Sequence, residues 1–294
     1  MNIVNNSYPK ISVITPTFNQ GAFIEKTINS VLSQNYPNLE FIIIDGGSTD
    51  NTVEIIKKYE QHLTYWVSEP DRGQSHAINK GTAKSTGEIL TWLNSDDWYM
   101  PGTLQRFAEL FQQNPDVGIV VGAGRIVDQA GTEIYYKEPT QEINLTSLYQ
   151  WQRGGDFMQP SSAYSREAWD IAGPIDESIH IALDVDLWLR MAKKNIKFLS
   201  VNELFSEALS HPDAKTTAFK EFMDLDCSMV IIQHGGKKFV EKQLIDMVTK
   251  YCWYTKNYLA IVNNPIIRFL RPIIKRLAKE DQSWSEYIPT WVKK

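Results

Sequence analysis

Four short apolar runs, each followed by a helical pattern within about 110 residues, constrain this chain more than any other feature. Lys10 to Thr15 alternates into a strand, Phe41 to Ile44 is apolar and β-branched, Thr64 to Val67 is a third run, and Glu88 to Leu93 a fourth. Between Ala22 and Gln34, Phe23, Ile24, Ile28, Val31 and Leu32 recur at helical spacing. Val53, Ile55 and Ile56 mark a second helix that Asp50 or Asn51 caps, and Ser75 is expected to cap a third through Ala83. Pro101 opens a fourth, with Leu104, Phe107, Ala108 and Phe111 on one face. Such alternation predicts a parallel, doubly wound α/β sheet.

In sheets of that class ligands bind outside the carboxyl ends of the strands. Three of these strand ends are polar: Thr15 with Pro16-Thr17-Phe18-Asn19, Asp45 to Asp50, and Asn94-Ser95-Asp96-Asp97. The adjacent carboxylates Asp96 and Asp97 stand where a hard cation and a phosphate could meet them. The plainer alternative is a turn before Pro101, since Asn, Ser and Asp favour turns. A dinucleotide-binding dehydrogenase would need Gly-x-Gly-x-x-Gly after its first strand. This chain has Pro16-Thr17-Phe18-Asn19-Gln20-Gly21 there, which excludes that class.

Beyond Val117 to Val121 the winding changes. Arg125 to Val127 and Glu133 to Tyr136 predict a hairpin turning at Asp128 to Gly131. Asp184 or Asp186 starts a helix with Leu187, Trp188 and Met191 on its apolar face, and Asp186 reads as the structural one. A strand from Lys197 to Val201 precedes a polar loop, Ser210 to Thr217, and the remainder reads as helical. Trp92, Trp98 and Trp188 are expected in the core. His76 and His180 read as structural, and Gln159 and Ser161 as acceptor contacts.

The 294 residues are 43% hydrophobic and 22% charged, which excludes disorder, and no run approaches the roughly 18 apolar residues of a membrane span. No secretory signal opens the sequence, and its two cysteines, Cys227 and Cys252, fit no metal pattern, so a reduced cytoplasmic setting is expected. The net charge of -5 hides an asymmetry: from Gly235 onward 12 Lys/Arg oppose 5 Asp/Glu, while the preceding residues carry 18 against 30. Within residues 265–294, Ile266, Phe269, Leu270, Ile273, Ile274 and Leu277 form an apolar stripe bordered by Arg268, Arg271, Lys275, Arg276 and Lys279. That segment suits either a membrane interface or packing on the chain itself or a second subunit.

The spaced motifs Ser12 to Asn19, Asp45 to Asp50, Gly73 to Gly81, Asn94 to Asp97, and Asp184 to Arg190 after Ile175-Asp176-Glu177-Ser178 resemble the family 2 glycosyltransferases. These are inverting nucleotide-sugar enzymes of the GT-A fold, common in bacterial surface-polysaccharide assembly. The resemblance implies a catalytic domain over 1–217, with a nucleotide-binding half at about 9–122 and an acceptor half at 123–217. A helical, basic extension over 218–294 would follow. It implies a UDP-sugar or related donor, a saccharide or lipid-linked saccharide acceptor, a Mn²⁺ or Mg²⁺ ion, and no nucleic acid. A peripheral position on the inner face of the cytoplasmic membrane and a homodimer fit the same resemblance.

Residue by residue, the resemblance puts Thr15, Pro16 and Asn19 around the nucleotide, Asp45 against the base, and Asp71 and Arg72 beside nucleotide and sugar. Asn94 would bond a ribose hydroxyl next to Ser95. Asp96 and His211 would hold the metal, Lys215 would meet the diphosphate, and Asp184 would be the base. Three positions depart from the usual pattern: Asp45 is followed by Gly46, Asn94 replaces the first acid of an Asp-x-Asp motif, and Leu183 precedes Asp184. An inactive nucleotide-sugar-binding scaffold is the alternative that Asn94 leaves open.

Overall fold

Strand β1 (Ile11–Thr17) is buried at every position and lies between two parallel neighbours, β2 (Leu39–Asp45) and β4 (Ile89–Trp92). The computed structural model describes residues 8–212, 214, 215, 220–246 and 249. Two compact units divide the chain, 1–240 and 241–294; in the second, residues 241–246 are helical. The basic stripe of residues 265–294 lies outside the described residues. No helix among the described residues is long and apolar enough to cross a membrane.

Strand β3 (Tyr65–Ser68) extends the parallel sheet beyond β2, and helices α1 (Ile24–Leu32), α2 (Thr52–Lys58) and α3 (Gln74–Lys84) follow the first three strands. The run Phe41 to Ile44 is apolar throughout because both of its faces are covered. Phe41 and Ile43 join the main core with Ile24, Ile28 and Val31, whereas Ile42 and Ile44 pack with Ala77 of α3. Gly81 lets α3 settle on β1: a Cβ there would stand 2.5 Å from Ile14 Cγ2.

Several local expectations shift. β1 continues through Pro16 and Thr17, which pair with Ile44 and Asp45, so the strand reaches the crevice. Gly73, at φ 108°, takes the N-cap of α3, and Ser75 sits inside the helix donating to Ile179 O at 3.2 Å. Asn51 occupies the N-cap of α2, yet the capping oxygen is Asp50 Oδ1, 3.0 Å from Thr52 N.

After β4 come β5 (Asp97–Tyr99), α4 (Thr103–Gln113), β6 (Val117–Val127), β7 (Glu133–Lys137), α5 (Leu145–Leu148) and β8 (Ser162–Ser165). Then follow α6 (Arg166–Ala172), α7 (Leu183–Lys193), β9 (Lys197–Leu209) and α8 (Lys220–Gln233). The expected hairpin is β6 with β7. The sheet runs β3-β2-β1-β4-β8-β6-β9-β5, and β8 joins the parallel half to the rest by antiparallel pairing on both sides. The α/β class holds, and the sheet as a whole is mixed. Four residues link β4 to β5 and they fold into a turn, with Asp97 N donating to Asn94 O at 3.1 Å. A turn so short cannot bridge four flat strand spacings of about 4.8 Å, so the sheet curls. That curl brings β5 and the end of β9 beside the polar end of β4.

Neither Asp184 nor Asp186 caps α7; Ala182 is its N-cap. No side chain caps its first turn; Asp226 Oδ2 of α8 instead holds the segment just before it, accepting from Ile181 N at 3.1 Å and Ala182 N at 3.0 Å. Asp186 is structural, bonded to Arg190 Nε and His234 Nε2, both at 2.8 Å. Asp226 of α8 and His234 just beyond it thus tie this segment to α7 within the unit 1–240. Trp92 and Trp188 are fully buried and Trp98 nearly so.

Candidate active site

Register decides where the polar strand ends meet. Thr17 is opposite Asp45, Asp45 is opposite Ser68, and β4 stops with Trp92 opposite Ile14. The segment Asn94-Ser95-Asp96 therefore runs on beside the end of β1. A cavity of about 510 Å³ opens there. Pro16, Thr17, Phe18 and Gln20 form one wall, Gly46, Asp71, Gly73 and Gln74 another, and Asn94, Ser95, Asp96 and Lys215 close it. Thr17 Oγ1 and Gln20 Oε1 are buried without a partner among the described residues, so polar groups of this wall are left for a ligand.

Asp96 Oδ2 lies 3.1 Å from His211 Nε2. The imidazole is almost wholly buried and tilts against Phe23, with ring centroids 4.4 Å apart. Its neighbour Asp97 is buried in β5, and desolvation, followed by the charge of Asp96, pushes its carboxyl well above the usual range. The two acids have divided roles: Asp96 faces the cavity, and Asp97 accepts from Asn94 Nδ2 at 3.1 Å behind it.

A divalent cation fits this donor set. Neighbouring octahedral ligands at roughly 2.1 Å from a small hard cation lie about 3 Å apart, so the Asp96–His211 spacing needs no rearrangement. Among the described residues no group of three His, Cys, Asp or Glu forms a cage, so a cation held here would take its remaining ligands from water and phosphate oxygens.

Asp184 is partly buried at the start of α7, accepting from Val185 N at 2.8 Å. Burial pushes its carboxyl up to about 6, while the Val185 hydrogen bond and the Lys215 charge hold it back. Lys215 Nζ donates to Gln74 Oε1 at 2.8 Å and His180 O at 2.5 Å. Desolvation lowers its pKa there, against the opposing pull of Asp184 and Asp226. A cavity-lining ammonium and a raised carboxylate thus sense each other.

Other expected residues lie elsewhere. Asp45 is fully buried, and its oxygens are taken by Gly47 N, Ser48 N, Ser48 Oγ and Ser68 Oγ, so it shapes the turn behind Gly46. A Cβ on Gly46 would stand 3.0 Å from Asp71 Oδ2, so the missing side chain makes room for the Asp71 carboxylate. Asn19, at φ 52°, accepts from Thr49 N at 2.8 Å and is outside the wall, as is fully buried Thr15. Arg72 turns away to Glu177 at 2.5 Å with its side chain 68% exposed. Ser161 is fully buried against Ala123 O and Ser206 Oγ, which removes it as an acceptor contact. Gln159 borders the site through Asn94 and Trp92 O. Gln74 escaped notice because its role depends on a residue 141 positions away.

Residues 12–170 match the family described as Glycosyl transferase family 2. The chain is 36% identical over 222 residues to TuaG of Bacillus subtilis, named as a glycosyltransferase of teichuronic acid biosynthesis. That match covers 69% of this chain and 80% of the relative. A glycosyltransferase of Nostoc is 34% identical over 178 residues, 57% of this chain; the match spans about half (54%) of that relative. TarS of S. aureus in complex with UDP-GlcNAc superposes with a TM-score of 0.56 at 20% identity, covering 75% of this chain and 65% of TarS. The mannosyltransferase PcManGT of Pyrobaculum calidifontis, with GDP-Man and Mn²⁺, gives 0.57 at 19%, covering 79% and 65%. At those identities the likeness concerns the fold, the GT-A arrangement.

Proposed function

This chain belongs to glycosyl transferase family 2, and from that premise we propose that it transfers a sugar, with inversion, from a UDP-sugar donor to a saccharide or lipid-linked saccharide acceptor. One observation carries the reading: Asp96 and the Lys215 ammonium line one cavity, His211 stands against Asp96, and Asp184, raised to about 6, feels the Lys215 charge. In the reaction an acceptor hydroxyl forms a bond to the anomeric carbon as the bond to the diphosphate breaks. The proton passes to Asp184 and the diphosphate departs with the electron pair. At pH 7 a carboxylate with that pKa is still ionised, and it is a stronger base than an ordinary aspartate.

Asp96 and His211 would hold the divalent cation, which when bound offsets charge on the diphosphate. Lys215 adds a fixed positive charge in the same place. Pro16, Thr17 and Asp71 border the nucleotide, and Asn94 and Ser95 the ribose. UDP is placed first because TarS, of like fold, was solved with UDP-GlcNAc. The acceptor class rests on TuaG and its named pathway.

The test is a panel of UDP-, GDP- and dTDP-sugars with Mn²⁺, read as release of the nucleoside diphosphate. Slow release of UDP without acceptor is expected. Absence of release and of binding across the panel would overturn the reading.

A further inference from the structure

Lys215, Gln74, Asn94 and Asp97 form one directed line of hydrogen bonds through the wall of the cavity. Lys215 Nζ donates to Gln74 Oε1 at 2.8 Å, Gln74 Nε2 to Asn94 Oδ1 at 2.7 Å, and Asn94 Nδ2 to Asp97 Oδ2 at 3.1 Å. An ammonium has only protons to give, and a carboxyl oxygen accepts. With those two ends set, each amide between them has one orientation that satisfies both of its neighbours. Gln159 agrees with that orientation: its Nε2 donates to Trp92 O at 3.0 Å, which turns its Oε1 toward Asn94 Nδ2. A carboxylate at position 94 would have no N–H for Asp97 Oδ2 or Gln159 Oε1, so the neutral amide there serves as a link in the line.

We propose that Gln74 is a positioning residue of the donor site, fixing the Lys215 ammonium at the cavity and holding the Asn94 amide toward Asp97. The proposal rests on the reading of the cavity as a nucleoside-diphosphate site. Lys215 has three protons, and Gln74 and His180 O take two among the described residues, which leaves one for a phosphate oxygen. Without Gln74 the ammonium would lose one of its two anchors and the Asn94 amide would lose its donor. The long lysine side chain would then have to be ordered when the ligand binds, which weakens binding.

Titration calorimetry of UDP in the presence of Mn²⁺ separates the ideas, using the full chain as wild type, Gln74→Leu, Lys215→Met and the double variant. Gln74→Leu is expected to weaken UDP binding by about 5- to 20-fold. In the Lys215→Met background the same change should cost less than about twofold, since its main partner is already gone. A purely structural role would lower both backgrounds alike. Should Gln74→Leu fail to fold by circular dichroism, Gln74→Met replaces it. Wild type that binds neither UDP nor GDP would remove the nucleotide reading itself. Wild type that binds, with Gln74→Leu equal to it or with the two substitutions multiplying, would overturn the role given to Gln74.

Discussion

Asp184→Asn should separate activity from stability with opposite signs. Asparagine keeps the shape and an oxygen for the Val185 N–H, now at 2.8 Å from Asp184 Oδ1, so α7 should start as before. In the folded chain burial raises the Asp184 carboxyl from 3.8 to about 6. Folding therefore favours its protonated form. The stability this contributes is complete below about pH 4 and is lost as pH rises through about 6, so at pH 7 the ionised group opposes folding. A shift near two units corresponds to about 3 kcal/mol at roughly 1.4 kcal/mol per unit, and partial solvent access reduces this to about 1–3 kcal/mol. The uncharged variant should accordingly melt higher at pH 7, by about 2 to 8 °C for a chain of this size, with the gain vanishing near pH 4. Its turnover should fall by at least about 10²-fold with UDP affinity little changed. Wild-type kcat/KM should decline below about pH 6 as Asp184 takes up its proton. Thermal melts at pH 4 and pH 7 beside a UDP-release assay test both halves. A variant that melts lower at pH 7, or that keeps turnover, would refute the reasoning.

Asp96→Ala should abolish turnover while the chain stays folded, and EDTA should reproduce the loss in wild type; full activity in EDTA would remove the cation from the scheme. Arg72→Ala should change UDP affinity by less than about twofold, because its guanidinium is exposed and engaged by Glu177, and calorimetry reads this directly. Gly81→Ala forces a methyl to 2.5 Å from Ile14 Cγ2 and should lower stability by about 1–3 kcal/mol in urea unfolding. Removal of residues 265–294 should abolish co-sedimentation with anionic vesicles at low salt; equal recovery in the supernatant with and without them would exclude a membrane role for that segment.

The alternation of apolar runs and helical patterns determined the parallel half of the sheet by itself, because burial on both faces leaves a continuous signature in Phe41 to Ile44. It also determined which strand ends are polar, since turn residues must follow each strand, and so where the crevice lies. The resemblance carried by the motifs singled out Asp96, Asp184, His211 and Lys215 as candidates. Only the tertiary structure decided which polar groups face the crevice. Asp45 and Arg72 look as available in sequence as Asp96 does, yet Ser48 and Ser68 enclose the first and Glu177 draws the second outward. Gln74 meets Lys215, and Asp226 the backbone just before α7, across 141 and 44 positions. Periodicity and capping patterns report neighbours within a turn or a strand pair. Hydrogen bonds between distant segments exist only once the curled sheet has brought their ends together.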